Sequence, residues 1–190
     1  MSKTFTENKH FQRITFAHHA LSIGEYEHCH FDACIFLNAN LSGINFGECK
    51  FTNCDLSLVK VTNTAFREVI FNGCKLLGVH FDECNKFSFS VTFDHCQLKL
   101  AAFSTLNLKN TNFTECNLQE VDFSDSNLTA VIFDHCDLSG AIFKNSVLEK
   151  ADFRTAYNYS INPEINRMKK ATFSTMGLAG LLDKYKIEIE

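Results

Sequence analysis

A five-residue period runs through the middle of this chain and limits its possible folds more than any other feature. Every fifth position from 93 to 153 holds a large apolar residue, and Phe alternates with Leu without exception. These positions are Phe93, Leu98, Phe103, Leu108, Phe113, Leu118, Phe123, Leu128, Phe133, Leu138, Phe143, Leu148 and Phe153. An amphipathic helix repeats about every 3.6 residues and a strand every second residue, so the five-residue unit must itself be structural.

The same step appears earlier in the chain, in a different register. It runs from Phe11 to Phe81, and the next large centre, Phe93, follows after twelve residues instead of ten. Two extra residues therefore lie within 85–92, and the pattern-free stretch 86–89 predicts a bulge or a small loop. Residues 1–10 show no period and are expected to form a frayed or capping entry.

Each unit is interpreted as a short strand followed by a corner. The centre and the residue two before it are apolar or small, and the next two positions are rich in Ser, Thr, Asp, Asn and Gly, which favour turns. A longer period of 20 residues relates Cys96, Cys116 and Cys136, so one coil has four sides. The sequence predicts an all-β solenoid of about seven coils whose neighbouring coils pair as parallel strands.

The cysteines and histidines fit this solenoid without a metal site. All nine Cys fall two residues before a centre, which for Cys84 is the centre expected at the broken unit, and this predicts buried free thiols that act as small apolar groups. His95, Glu115 and His135 occupy one outward column, but the two His are expected to lie roughly 10 Å apart, too far to share an ion. A charge pair between neighbouring coils is favoured instead.

Units such as Ala151-Asp152-Phe153-Arg154 and Cys136-Asp137-Leu138-Ser139-Gly140 resemble those of the pentapeptide-repeat family. The resemblance covers about residues 11–153 and implies a right-handed quadrilateral β-helix. In this family the quinolone-resistance and topoisomerase-poison immunity proteins mimic B-DNA and bind DNA gyrase or topoisomerase IV. The resemblance therefore implies a type II topoisomerase as partner, and the alternative is an interaction scaffold for another protein.

The last part of the chain departs from the repeat. We divide the sequence into a β-helix over 1–153 and a C-terminal segment over 154–190 that contains a loop, one more repeat unit, a short helix and a short strand. Leu178, Leu181, Leu182 and Tyr185 form the apolar face of the predicted helix. A solenoid must cover its open end, so this segment is expected to cap the core, to join two chains as a homodimer, or both.

Charge and motifs restrict the function. The formal net charge of −4 is too small to indicate a nucleic-acid or membrane surface, and neither a membrane-spanning nor a signal-peptide pattern is found, so a cytoplasmic protein is expected. No phosphate-binding loop, nucleophile motif or metal-ligand spacing points to an enzyme or a cofactor. Acidic residues concentrate on about one coil and are the candidate partner-binding patch. They are Glu115, Glu120, Asp122, Asp125 and Asp134.

Overall fold

The computed structural model describes residues 4–16, 21–87 and 89–188, which wind into a parallel β-solenoid. Four sides alternate along the chain, and we name them by the centres of one coil. Face 1 contains Phe113, face 2 Leu118, face 3 Phe123 and face 4 Leu128. Consecutive centres on one face are 20 residues apart, as the sequence predicts.

Face 1 is a continuous parallel sheet along the whole rod. Its nine strands pair in the order in which they follow one another, which corresponds to eight turns, close to the predicted seven. The strands are β2 (His10–Gln12), β4 (His30–Asp32), β6 (Lys50–Thr52), β8 (Val69–Asn72), β9 (Val91–Asp94), β10 (Asn112–Thr114), β11 (Ile132–Asp134), β12 (Asp152–Phe153) and β13 (Thr172–Phe173).

Face 4 changes character along the rod. Its first half is a four-stranded parallel sheet of β1 (Thr4–Glu7), β3 (Gly24–Glu27), β5 (Asn45–Gly47) and β7 (Ala65–Arg67). Its second half is held by single bridges, such as Asn107 to Asn127 and Asn127 to Val147. Faces 2 and 3 are held by bridges of the same kind along the described residues.

The corners between faces use left-handed backbone conformations. Glu115 has φ of 49° and its amide donates to the carbonyl of Asp134 on the next coil, at 2.8 Å. Equivalent corners recur at most turns, and many hold a residue other than glycine. This conformation is unfavourable for most side chains, so the hydrogen bonds from coil to coil must offset its cost.

The interior is filled by stacked rings. Phe123 is fully buried, and its ring centroid lies 5.5 Å from that of Phe103 and 5.3 Å from that of Phe143. The Phe113 ring packs edge-on against it at 5.9 Å. The predicted centres are therefore the core, and the five-residue register is confirmed.

The register break forms a small loop on face 4. Phe71 pairs with Phe93 across it, 22 residues apart, so the two extra residues lie where the sequence places them. Phe89 fills the position of the missing centre and packs edge-on against Phe66 and Phe81, at 6.3 and 6.0 Å. The core thus continues through the break.

The first residues were expected outside the repeat, and this prediction is wrong for the described part. β1 already pairs with β3, because backbone hydrogen bonds require no apolar period, whereas β2 contains Phe11 and begins where the repeat was predicted. Phe5 points outward and is 62% exposed, which explains why the sequence showed no pattern.

The C-terminal segment adds β13 and then two 3₁₀ helices, Thr175–Leu181 and Asp183–Tyr185. Another 3₁₀ helix, Phe81–Glu83, lies on face 3. The strand expected at the tail is not formed at residues 186–188, and Ile189 and Glu190 lie outside the described residues. In the described part of the chain, no helix combines the length and the apolar composition that crossing a bilayer requires.

Candidate functional site

The five acidic residues predicted to bind a partner lie around one coil rather than on one side. Glu115, Glu120 and Asp125 occupy three successive corners in left-handed conformations. Asp122 lies on face 3, and Asp134 belongs to strand β11 on face 1 of the next coil. The structure therefore forms an acidic ring from them, not a flat patch.

Each member of this ring has a partner on its own chain. Glu115 lies 3.0 Å from Nε2 of His95, and Glu120 lies 3.1 Å from Nζ of Lys99. The other three accept hydrogen bonds, which link Asp122 to the Ser124 amide, Asp125 to the Asn145 side chain, and Asp134 to the Thr155 hydroxyl. The basic partners of Glu115 and Glu120 reduce the negative potential at those two corners, whereas the neutral donors leave the charges of the three Asp in place.

The predicted column of His95, Glu115 and His135 forms only in part. His95 contacts both Asp94, at 2.7 Å, and Glu115. His135 bonds to Asp134 at 2.8 Å instead of to Glu115. The hydrogen bond to Asp94, followed by the charge of Glu115, raises the pKa of His95. The charge pair between coils is thus present on one side of Glu115.

A larger acidic surface, which the sequence analysis missed, lies on the first half of face 4. Its five carboxylates belong to Glu7, Glu25, Glu27, Glu48 and Glu68, and we call this set the acidic half of face 4. The residues are far apart in sequence but share columns, because Glu7 pairs with Glu27 in the sheet and the last two are successive corners. Comparing outward positions at a spacing of 20, rather than by sequence window, would have found them.

The acidic half is only partly neutralised. Arg67 forms an ion pair with Glu27, and His28 lies 3.4 Å from Glu48. Glu48 remains more than half exposed, and Glu68 is exposed at the next corner. With five carboxylates and one guanidinium, this half has a formal charge of −4.

The second half of face 4 has the opposite charge. Its cations are Lys109, Lys150, Arg167, Lys169 and Lys170, which we call the basic half of face 4. Among the described residues of these outward columns, Glu149 is the one acidic residue and lies 2.7 Å from Arg167, while Asp125 lies at the opposite edge of the face, on the corner towards face 3. The basic half therefore has a formal charge of +4, equal and opposite to that of the acidic half.

The loop of the register break lies between the two halves. Phe87 projects from it with 84% of its surface exposed, whereas Phe89 turns inward. Beside Phe89 is a hollow of about 330 Å³ whose lining includes Glu48, Arg67 and Glu68. The loop therefore presents one aromatic ring to solvent and also borders an acidic hollow.

The predicted apolar face of the C-terminal helix is divided between core and solvent. Leu181 packs against the core, as a cap requires. Leu178, Leu182 and Tyr185 are 45%, 37% and 54% exposed, and Met176 beside them is 92% exposed. Most of this face is therefore available to another surface.

The cysteines are all free and buried. Most of their Sγ atoms donate to backbone carbonyls, as Cys136 does to Phe113 at 3.3 Å. Burial raises the pKa of Cys49 to about 12, which keeps its thiol protonated. Within residues 4–16, 21–87 and 89–188, no cluster of His, Cys, Asp and Glu has the geometry of a metal site.

The fold and its surfaces define a class of protein, a four-sided parallel β-solenoid with a filled interior and charged outer faces. The family model described as pentapeptide repeat region matches residues 24–88 and 86–157. Because the match covers more than half of the sequence, the chain belongs to the pentapeptide repeat family.

Solved structures of the family are similar over most of the chain. QnrB1, a plasmid-mediated fluoroquinolone resistance protein, is 13% identical, with 97% of this chain and 100% of that chain covered and a TM-score of 0.49. HetL, involved in heterocyst differentiation regulation in Nostoc sp. strain PCC 7120, is 12% identical, with 89% and 86% covered and a TM-score of 0.37. No curated protein matches this chain in sequence.

Proposed function

We propose that this protein is a non-catalytic protein-interaction module. The observation that supports this best is the filled interior: centres such as Phe113, Leu118 and Phe123 are fully buried, and the charged and polar groups lie on the outer faces. A rod of this kind offers long flat surfaces to a partner.

The specific partner that we propose is a type II topoisomerase, DNA gyrase or topoisomerase IV, in the cytoplasm. The protein would act as a DNA mimic at the basic groove that holds the DNA gate, and would inhibit the enzyme or protect it from poisons. The acidic ring of Glu115, Glu120, Asp122, Asp125 and Asp134 supplies the contacts in this proposal, and family membership and the rod shape support it.

Charge limits how far this mimicry can extend. Eight turns span roughly 38 Å, and B-DNA of this length carries roughly 22 phosphate charges. The whole protein has a formal charge of −4. Any mimicry must therefore be local, at the acidic ring or at the acidic half of face 4.

The second candidate is a scaffold for a protein other than a topoisomerase. Glu115 and Glu120 are paired with His95 and Lys99 of their own chain, which favours this alternative, since a carboxylate with a basic partner attracts a basic groove less strongly. So does the basic half of face 4, which a DNA-binding groove would repel.

Gyrase supercoiling, measured with and without a quinolone against increasing protein, tests the topoisomerase proposal. We expect inhibition or protection that weakens steeply with added salt, since exposed charges are screened over about 8–10 Å. The Glu115→Lys, Glu120→Lys variant should lose the effect, and Glu7→Lys, Glu68→Lys is the control with the same change in charge. If the wild type has no effect at tens of micromolar, the topoisomerase proposal fails and the scaffold remains.

The control variant also locates the binding surface. If reversing Glu7 and Glu68 removes the effect while the Glu115 and Glu120 variant retains it, the partner binds face 4 and the acidic ring is not the site. If both variants retain the effect, charge does not carry the interaction at either place.

We also propose a homodimer through the C-terminal segment, with Leu178, Leu182 and Tyr185 in the contact and Leu181 serving mainly as a cap. Their exposure supports this, because an isolated cap has no reason to present them to water. Leu178→Glu, Leu182→Glu should convert dimers into folded monomers in sedimentation. A wild type that is already monomeric at micromolar concentration would limit the segment to capping.

A further inference from the structure

We propose that face 4 binds face 4 of a second copy of this chain in an antiparallel arrangement. The observation behind it is that the two halves of one face have formal charges of −4 and +4, on either side of a loop with an exposed Phe87. This contact is separate from the C-terminal segment and does not depend on a topoisomerase partner.

Symmetry decides the direction of the pairing. If two copies place face 4 together about a two-fold axis along the rod, each acidic half meets an acidic half, and like charges repel. If the axis runs across the rod, the coils of one copy follow in the opposite order to those of the other. Each column, that is, each set of outward residues spaced 20 apart, then faces the same column of the second copy. The acidic half then lies opposite the basic half over the length of the face.

The charges within each column also determine which coil of one copy lies opposite which coil of the other. When the coil of Tyr26 faces the coil of Met168, the coil of Phe46 faces Leu148 and that of Phe66 faces Leu128. Three oppositely charged pairs then face each other, and symmetry forms each pair twice. They are Glu25 with Arg167, Glu27 with Lys169, and Glu48 with Lys150.

This register avoids like-charge contacts in the facing columns. Arg67 faces the neutral Thr129, and Glu149 faces Gly47. A shift by one coil would instead bring Glu27 opposite Glu149 and Arg67 opposite Lys109. The charge pattern therefore distinguishes one register from its neighbour.

The basic side chains are available for such contacts. Within residues 4–16, 21–87 and 89–188, no salt bridge involves Lys109, Lys150, Lys169 or Lys170. Lys150 would reach the hollow lined by Glu48 and Glu68, whose one cation, Arg67, is held in an ion pair with Glu27. A cation that enters a hollow between two carboxylates loses water but gains two charge partners.

The loop of the register break fits the same arrangement. Its coil faces the coil of Leu108, so Phe87 of each copy would lie against the partner's Lys109, whose stem and ammonium both suit an aromatic ring. Lys86 does not interfere, because it bonds to Thr105 at the other edge of the face. The most exposed aromatic ring of the described structure would then be covered.

A second copy suits this surface better than an unrelated partner. Face 4 changes from acidic to basic at its midpoint, and its coils are spaced about 4.8 Å apart. A second, antiparallel copy of this chain has the same spacing and the opposite order of charge. With a length of about 38 Å and a width of about 16 Å, the contact covers roughly 600 Å² per copy, at the lower end of specific interfaces.

Sedimentation of charge-reversed variants tests this pairing, in a Leu178→Glu, Leu182→Glu background that removes the C-terminal contact. At about 0.1 M salt we expect dimers, and at about 1 M salt, where screening extends only ~3 Å, monomers. Glu48→Lys or Lys150→Glu alone should weaken dimerisation at least tenfold, and the double variant should restore it. Lys75→Glu, an exposed reversal on face 2, should change nothing.

Each outcome decides the proposal. A background variant that is monomeric at tens of micromolar in low salt overturns face 4 pairing and leaves the C-terminal dimer unaffected. A Glu48→Lys, Lys150→Glu double variant that stays as weak as the singles overturns the register. If the background variant does not fold, Glu48→Lys and Lys150→Glu are made in the unmodified chain. Each must then give a smaller sedimenting assembly than the wild type, and the double variant must restore the larger assembly.

Discussion

The two halves of the solenoid, before and after the loop at 85–90, both fill their interior with aromatic rings but place these rings on different faces. In the first half Phe46 and Phe51 stand on adjacent faces 4 and 1, with ring centroids 5.4 Å apart. In the second half Phe113 and Phe123 stand on opposite faces 1 and 3, 5.9 Å apart. In both halves the face 1 rings make edge-to-face contacts with rings of at least one other face, but the position of those other rings around the coil changes.

The loop is where this change takes place. Before it a ring column runs along face 4 through Phe46 and Phe66, whereas the column along face 3 begins at Phe81, just before the loop, and continues with Phe103, which stacks on Phe81 at 4.8 Å. Phe89 contacts rings of both columns. Face 1 keeps its paired strands and its Phe column along the whole rod, whereas the other faces differ between the halves in strand content and in charge.

The largest effect is expected for the central ring of a column. Phe123→Ala should lower the free energy of unfolding by about 3–5 kcal/mol, since a fully buried ring leaves a cavity between Phe103 and Phe143. Phe51→Ala should cost a similar amount in the first half. Urea unfolding measures both, and a clear difference between them would mean that the two packing arrangements are not equivalent.

The loop itself should give a smaller effect. Phe89→Ala should destabilise by about 1–3 kcal/mol, because the ring is half-buried between the two columns. Phe87→Ala, only two positions away, should change stability by less than about 0.5 kcal/mol because its ring is exposed. Equal losses for the two variants would contradict the assignment of Phe89 as the substitute centre.

The core could be predicted from the sequence because each inward position repeats the same physical requirement. Phe113, Leu118 and Phe123 must all be large and apolar, so a period of five and a coil of 20 follow directly from the printed residues. The nine thiols were predicted for the same reason, since every one occupies an inward position.

The surface could not be predicted in this way. The acidic ring was identified from a sequence window. Residues that are close in sequence nevertheless lie on different sides of the coil, as the corner residues Glu120 and Asp125 do. The acidic half of face 4 was missed because Glu7, Glu27 and Glu48 meet only when coils are stacked. Strand β1 was missed because backbone pairing requires no apolar period and Phe5 points outward.

The thiols should distinguish the folded chain from the unfolded chain. All nine should react in denaturant without reductant, and a smaller number would indicate a disulfide. In the native protein the reaction at pH 8 should be much slower, because Cys49 is buried and its pKa is raised to about 12. Fast reaction of several native thiols would show that the solenoid opens readily around them.

The smallest effects on stability are expected from the protonation of two histidines, one in each half. Protonation should stabilise the fold at His95 and destabilise it at His30. Asp94 and Glu115 raise the pKa of His95, so its contribution to stability is present below the unfolded pKa and is lost as pH rises through the folded value. Burial, followed by His10, lowers the pKa of His30, so its effect is a loss of stability as pH falls through the unfolded value.

NMR titration of the two imidazoles checks this directly. His95 should titrate above the ordinary histidine range and His30 below it, and Glu115→Gln should move the pKa of His95 downward while leaving that of His30 unchanged. A shared pKa for both would contradict the local environments described for the two halves.

Native-state hydrogen exchange tests the central claim most directly, that face 1 joins the two halves into one structure. Strands β8 and β9 pair across the loop through four residue pairs, from Val69 with Val91 to Asn72 with Asp94. We expect the amides of Phe71 and Phe93 to exchange with the same free energy as those of Phe51 and Phe113. If the amides next to the loop exchange at a clearly lower free energy, the halves open separately and face 1 does not join them.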